Sequence, residues 1–272
     1  MTLLELAAQQ LGSGPCHTLD VAKEVLGLRG HPGAASKAVF ALLGRDPRFH
    51  VDGEGYWSLK PGLEPLGPSL MRLRYAVVDV ETTGGLGGRG DRVTEVAVVH
   101  VEGGAVGEWF HTLVNPGRPI PPRIQGFTGI TDEMVSVAPY FEGVVEEISA
   151  RLQNRIFVAH NERFDWGMIS RELLAAGRHA PEVERLCTVR LGRLLVPRLR
   201  SYGLDSLTGH FQIRIEQRHR ALGDALATAK LLIRLIAEAD SRGISDLSAL
   251  RDVLGRGGIR GRRRRVPTQE RK

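Results

Sequence analysis

YAVVDVETTG (Tyr75–Gly84) runs apolar and then presents two carboxylates one residue apart, Asp79 and Glu81. A strand turns residues i and i+2 to the same face, so both acids point the same way. Adjacent like charges repel and lose solvation as they approach a core. The pair therefore asks for a cation. Taken alone, it could equally be a solvated strand end with Arg92 as partner.

Two further acids stand at comparable junctions. VAHNERFD (Val158–Asp165) leaves an apolar strand for a helix whose first turn holds Asp165, and RHRALGD (Arg218–Asp224) enters a long helix carrying Asp224. Singly these are weak signals. Asn161 and Asp165 could cap a helix, Asp224 could be a first-turn acid favoured by the helix dipole, and His219 could be a surface histidine. Together, the four carboxylates Asp79, Glu81, Asp165 and Asp224 could converge at the ends of central elements. Two divalent cations would neutralise them, and hard oxygen ligands suit Mg²⁺ or Mn²⁺. Five residues of continuous helix rotate a side chain by about 140°, so His219 belongs on the loop before the helix if it is to act beside Asp224.

The stretches DVETTG, AHNERFD and HRALGD resemble, in order and spacing, the three motifs of DEDD-type 3′→5′ exonucleases. His219 and Asp224 form the His-x4-Asp of the histidine subclass, to which the polymerase III epsilon subunit and ribonuclease T belong. The likeness runs from Tyr75 to Ala239 and takes in FTGIT (Phe127–Thr131). It implies an α/β, ribonuclease H-like mixed sheet with flanking helices. It also implies two metal ions about 3.5–4 Å apart, with Asp79 bridging both, Glu81 and Asp224 completing one shell, and Asp165 serving the other. His219 becomes the general base, since an imidazole suits proton removal near neutral pH. Thr82, Thr83, Gly84, Ile130, Asn161 and Phe164 are the expected substrate contacts, with a core role as the alternative for Phe164. Arg190, Arg193, Arg198 and Arg200 are either phosphate contacts or a solvated helix face.

Composition bounds the rest. The chain has 272 residues and only two cysteines, Cys16 and Cys187, without metal-type spacing; reduced thiols and a cytoplasmic location are expected. No basic n-region opens the sequence, and no apolar run is long enough to span a bilayer. Residues 1–60 read as three helices (Leu3–Leu11, Leu19–Leu26, Ala34–Leu43) and a hairpin around Asp52–Gly55, an order that resembles a winged helix. Lys37, Arg45 and Arg48 are its candidate DNA-facing cations. Residues 61–70 form a Pro/Gly-rich linker, 71–254 the exonuclease-like domain, and 255–272 a disordered basic tail. Within the domain, strands are expected at Tyr75–Glu81, Arg92–Val101, Glu108–Asn115 and Arg155–His160. Helices are expected at Tyr140–Leu152 and Phe164–Ala175, and a last one carries the stripe Leu222, Ala225, Leu226, Ala229, Leu232, Ile233 and Ile236.

The expectation is a metal-dependent exonuclease acting on single-stranded 3′ ends, DNA ahead of RNA, in proofreading or repair. An RNA 3′-trimming enzyme and a non-catalytic nucleic-acid adaptor are the alternatives. A polymerase or repair protein is the partner class, although no sliding-clamp peptide follows the domain. The net charge is +6, of which residues 71–254 contribute nothing, with 23 cations and 23 anions, while residues 255–272 contribute +7. Deleting residues 256–272 is therefore expected to raise KM and flatten its salt dependence, by about 0.7 in the log–log slope for each phosphate the tail neutralises. Measuring KM at low and high salt for both proteins checks this, and equal salt dependence would make the tail a solubilising terminus.

Overall fold

The structure, a computed structural model, describes residues 3–60, 69–87 and 90–261, with side chains to residue 255. The expected linker lies almost wholly outside the described residues, as does most of the basic run. Two compact units result. One comprises Met1–Ser69 with Ala239–Arg251, the other Leu70–Glu238 with Asp252–Lys272. A division by composition alone places 239–251 in the second unit; in the structure these residues pack with the first.

In the first unit, α1 (Leu3–Leu11), β1 (Cys16–His17), α2 (Thr18–Leu26), α3 (Pro32–Leu43), β2 (Phe49–Val51) and β3 (Tyr56–Leu59) follow one another, with strand order β1-β3-β2. The three helices and the hairpin are as expected, and the two-residue β1 is additional. Val21, Ala22, Val39, Leu43 and Trp57 form the core, where the Trp57 indole donates to Thr18 Oγ1 at 3.1 Å. Arg48 is not a DNA-facing cation. It lies beyond the end of α3, buried, with Nε on the Asp46 carboxylate at 2.9 Å and Nη1 on Ser245 at 3.1 Å.

The second unit is built on a five-stranded mixed sheet. Its strands β4 (Tyr75–Thr82), β5 (Val93–Glu102), β6 (Ala105–Leu113), β7 (Ile156–Ala159) and β8 (Arg185–Cys187) stand in the order β6-β5-β4-β7-β8. β4, β5 and β6 pair antiparallel, while β7 is parallel to β4 and to β8. Val77 and Val78 are both buried, as are Val98 and Val99, because both faces of the sheet are covered. Its helices are α4 (Pro122–Thr128), α5 (Asp132–Ser136), α6 (Val145–Leu152), α7 (Glu162–Ala175), α8 (Thr188–Leu195), α9 (Leu204–His210) and α10 (Ala221–Asp240), the last two residues of which belong to the first unit; α11 (Leu247–Gly261) is divided between the units after Arg251.

Three expectations change. The helix foreseen over Tyr140–Leu152 is a 3₁₀ turn at Phe141–Gly143 followed by α6. Leu222, Leu226 and Ile233 of α10 are only half-buried, while Ala221, Ala225, Thr228, Leu231, Leu232 and Leu235 are buried; the helix is covered over a wider face than an apolar stripe marks. α11 carries helical backbone to Gly261, seven residues into the stretch expected to be disordered, so a tail deletion that spares this helix starts at residue 262.

Two buried glutamates fix the helices that matter to the sheet. Glu95 of β5 has no solvent exposure. It accepts from Arg220 Nη2 at 2.6 Å, from the Ala221 backbone N–H at 2.8 Å, and contacts His111 Nε2 at 2.6 Å. Burial alone would raise its pKa, but these partners hold it at about 2. Glu172 of α7, 2% exposed, accepts from Arg92 Nε and the Val93 N–H, each at 2.9 Å. Arg92 is thus committed to Glu172 and is not the partner of Asp79 and Glu81. Glu95→Ala leaves a guanidinium and a helix-start N–H unpaired, and should cost about 3 kcal/mol or more. Denaturant unfolding measures this, and a loss below about 1 kcal/mol would show that α10 is anchored elsewhere.

Candidate active site

Asp79 and Glu81 sit two residues apart at the C-terminal end of β4, opposite Ala97 and Glu95 of β5. The ladder register shifts between Glu81 and Thr82, where the strand leaves the sheet. Asp224 occupies the first turn of α10, and carboxylate oxygens of Asp79, Glu81 and Asp224 all lie within 4.8 Å of one another. Asp165, in the first turn of α7, stands slightly apart. Its Oδ1 accepts from the Val80 N–H at 3.2 Å, which ties α7 to the strand between the two β4 acids.

The α7 start requires a left-handed residue, Asn161 (φ 83°), whose side chain makes no capping bond and is exposed. The α10 start is similar. His219 is left-handed (φ 62°) and its N–H donates to Asp224 Oδ2 at 3.2 Å. The preceding loop crosses so close that a Cβ on Gly223 would collide with the Gln217 carbonyl. Glycine at 223 is what lets His219 arrive beside Asp224 from the loop.

Burial dominates the electrostatics. It drives Asp79 well above the ordinary carboxylate range, with Asp165, Asp224 and Glu81 adding to the effect and Arg218 opposing it. It pushes Glu81 to about 7, helped by Asp224 and Glu95, and Asp165 to about 8 against the backbone bond from Val80. Asp224 is also raised by burial, and Arg218 and the His219 N–H oppose the rise. Asp224 Oδ1 is buried without a hydrogen-bond partner. An orphaned carboxylate oxygen among crowded acids fits an all-oxygen divalent cation site.

The other expected contacts separate. Thr82 Oγ1 donates to the Gly84 carbonyl at 2.5 Å, and Thr83 Oγ1 donates to Asp91 Oδ1 at 3.1 Å while accepting from the Arg92 N–H at 3.1 Å. The Thr83 N–H also donates to the Arg92 carbonyl at 2.9 Å. These bonds staple the base of the β4–β5 loop, and Gly84 packs so closely on the Asp91 carboxylate that a Cβ there would push it aside. Ile130 is fully buried with Ile120 and Val135, so its side chain packs the protein and cannot touch substrate as placed. Phe164 is half-buried against the main core. Arg193 lies over the Tyr202 ring, 5.8 Å from its centroid, and Arg190 reaches the Leu254 carbonyl at 3.5 Å.

Two residues to which the sequence assigns no role join the site. Phe127, 59% exposed, packs on the His219 ring at a tilt of 40°, with centroids 3.9 Å apart. Arg218 contacts Asp224 and lies 3.3 Å from His219 Nδ1. Phe127 falls inside FTGIT and Arg218 beside His219, but spacing alone gives neither a role.

The sequence profile of the exonuclease family (RNase_T) matches residues 76–232, more than half of the chain. The 3′-5′ exonuclease DinG of Bacillus subtilis is 39% identical over 163 residues, covering 60% of this chain and 18% of that protein. The PolC-type DNA polymerase III of the same organism is 37% identical over 186 residues, 66% of this chain and 13% of its own. The chain thus spans under a fifth of these curated relatives. A DNA polymerase III epsilon-like protein of Rhodobacter capsulatus is 37% identical, with 66% of this chain and 26% of that protein covered. Exonuclease X, solved with 5′-overhanging duplex DNA, superposes with TM-score 0.53 at 29% identity, over 67% of this chain and 99% of its own. E. coli Exonuclease I superposes at 0.55 and 18% identity, over 62% of this chain and 42% of its own, and shares the fold. The sheet and flanking helices are those of ribonuclease H-like exonucleases.

The raised acids give the cation-free protein a defined pH response. A carboxylate whose folded pKa lies above its unfolded value binds protons preferentially when folded, so its stabilisation is complete below the unfolded pKa and disappears as pH rises through the folded one. With Glu81 near 7 and Asp165 near 8, Tm in EDTA should fall between about pH 5 and pH 8, and added Mn²⁺ should reverse the fall at pH 8. Differential scanning fluorimetry across that range tests it; a Tm that rises or stays flat in EDTA contradicts the crowding.

Proposed function

Because the chain belongs to the exonuclease (RNase_T) family, of the DEDD type, we propose that it is a 3′→5′ exonuclease that trims single-stranded DNA ends and releases nucleoside 5′-monophosphates, in proofreading or repair. The observation that carries this reading is the meeting of Asp79, Glu81 and Asp224 within 4.8 Å beside a loop-borne histidine, His219. DNA is preferred to RNA because relatives are named as DNA polymerase III and Exonuclease X is bound to DNA. A cytoplasmic setting accords with two free thiols, Cys16 and Cys187. A polymerase or repair protein remains the proposed partner class.

Asp79, Glu81, Asp165 and Asp224 would hold two Mg²⁺ or Mn²⁺ ions, which supply Lewis acidity and neutralise charge developing on the phosphate. His219 accepts the proton of the attacking water as its oxygen bonds to phosphorus. The bond from phosphorus to the bridging 3′ oxygen breaks, and that oxygen takes a proton from solvent, leaving a 3′-hydroxyl on the shortened strand and a 5′-monophosphate as product. Phe127, tilted against the imidazole, restricts the ring's orientation. The His219 backbone N–H fixes Asp224, so base and ligand move as one.

Incubating purified protein with 3′-labelled single-stranded DNA and RNA, with and without Mn²⁺, tests the reading. Release of labelled mononucleotide from DNA, dependent on Mn²⁺, is expected. His219→Ala should lower kcat by about 10²–10⁴-fold while leaving Mn²⁺ affinity close to wild type by calorimetry. Loss of metal binding in that variant would make His219 a ligand; faster turnover of RNA would make the enzyme an RNA trimmer.

A further inference from the structure

Arg218 touches the carboxylate trio directly. Its Nη1 donates to Asp224 Oδ2 and its other nitrogens reach Asp205, with Nε on Oδ1 at 2.8 Å and Nη2 on Oδ2 at 3.3 Å. The two acids differ. The Asp224 side chain is 6% exposed and that of Asp205 is 72% exposed, while the Arg218 side chain between them is 33% exposed. One guanidinium therefore bridges a buried acid of the site and a solvated acid on α9. Asp224 Oδ2 already receives the His219 N–H, whereas Oδ1 is orphaned.

We propose that Arg218 is a displaceable counter-ion: it neutralises Asp224 while no divalent cation is bound, and a cation arriving among Asp79, Glu81 and Asp224 drives it off Asp224 to rest on Asp205 alone. The inference rests on reading those three acids as cation ligands. A guanidinium and a divalent cation on the same carboxylate repel each other, and in a poorly solvated site the repulsion is weakly screened. Asp205 provides the alternative anchor, so displacement breaks one charge-assisted bond without leaving the guanidinium bare. The protein folds with its acids partly compensated, and cation affinity is lowered by the competition.

Mn²⁺ titration calorimetry on the full chain, after chelation and dialysis, tests the exchange. Arg218→Gln should bind Mn²⁺ about ten- to a hundredfold more tightly than wild type, the worth of one charge-assisted bond that no longer competes. It should also show a larger rise in Tm on Mn²⁺ addition. Arg218→Lys keeps the charge but cannot fork between two carboxylates, and should bind Mn²⁺ more tightly than wild type by a smaller factor. It also carries the test should the glutamine variant fail to fold. Affinity in Arg218→Gln equal to or weaker than wild type overturns the proposal. So does Arg218→Lys binding like wild type, because charge in the neighbourhood would then matter and the contact would not. Absence of any Mn²⁺ binding by wild type would overturn both this inference and the cation site beneath it.

Discussion

A carboxylate sealed from water, Glu95, joins the sheet to the first turn of α10, and the site depends on that junction. Its partners Arg220 and Ala221 stand immediately after His219 and three residues before Asp224. Fixing them fixes both the proposed base and one of the acids against β5. Because Glu95 lies opposite Glu81 across the ladder, the same strand pairing that aligns β4 with β5 sets the distance from Asp224 to the β4 acids. Glu172 does the equivalent for α7 from the helix side, gripping Arg92 and the Val93 N–H. A buried ion pair contributes uncertain net stability, but each of these pairs also satisfies a backbone N–H at the start of an element. Their value lies in position.

The acids they position are the opposite case. Glu95 has enough donors to stay ionised down to about pH 2, whereas Glu81, a neighbour on the same sheet, is pushed toward neutrality by burial. The difference is one of supply. Strand-end and helix-start donors serve Glu95 and Glu172, while Asp79, Glu81 and Asp224 face one another. Among the described residues the fold crowds acids at this point and leaves Asp224 Oδ1 without a partner, while it supplies Glu95 and Glu172 with donors. Stability is given up there for an electrostatic environment suited to a cation.

How much of this is legible in the sequence follows from the kind of signal each feature leaves. Asp79 and Glu81 are visible because an acid pair interrupts an apolar strand, and Asp165 and Asp224 because they stand at junctions between periodic segments. The placement of His219 before α10 follows from helix geometry. Glu95 leaves a fainter trace: it is the lone acid within TEVAVVHV, and a strand covered on both faces must pair such a charge. Phe127 is marked only by its place in FTGIT and Arg218 only by standing beside His219, since their contacts depend on how distant segments meet at the site. Ile130 misleads for a related reason, because proximity in sequence to a motif does not distinguish a side chain facing the site from one facing the core. The apolar stripe of α10 omits Ala221 and Thr228, small residues that are buried through close packing and leave little mark on hydropathy.

The stapled base of the β4–β5 loop has a bearing on how such domains diversify. Thr83 and Arg92 exchange backbone and side-chain bonds, and Asp91 closes on both Thr83 and Arg118. The chain thus leaves the acid-bearing strand and re-enters the sheet at two points bonded to each other. Between them, Leu86 packs back against the main core and its carbonyl accepts from Arg171 of α7. Lengthening a loop whose ends are already held together adds only about 0.6 kcal/mol per doubling. The bonded ends let the segment between them vary in length while the strand ladder holds Asp79 and Glu81 in place, which makes it a natural graft point beside a fixed cluster of acids.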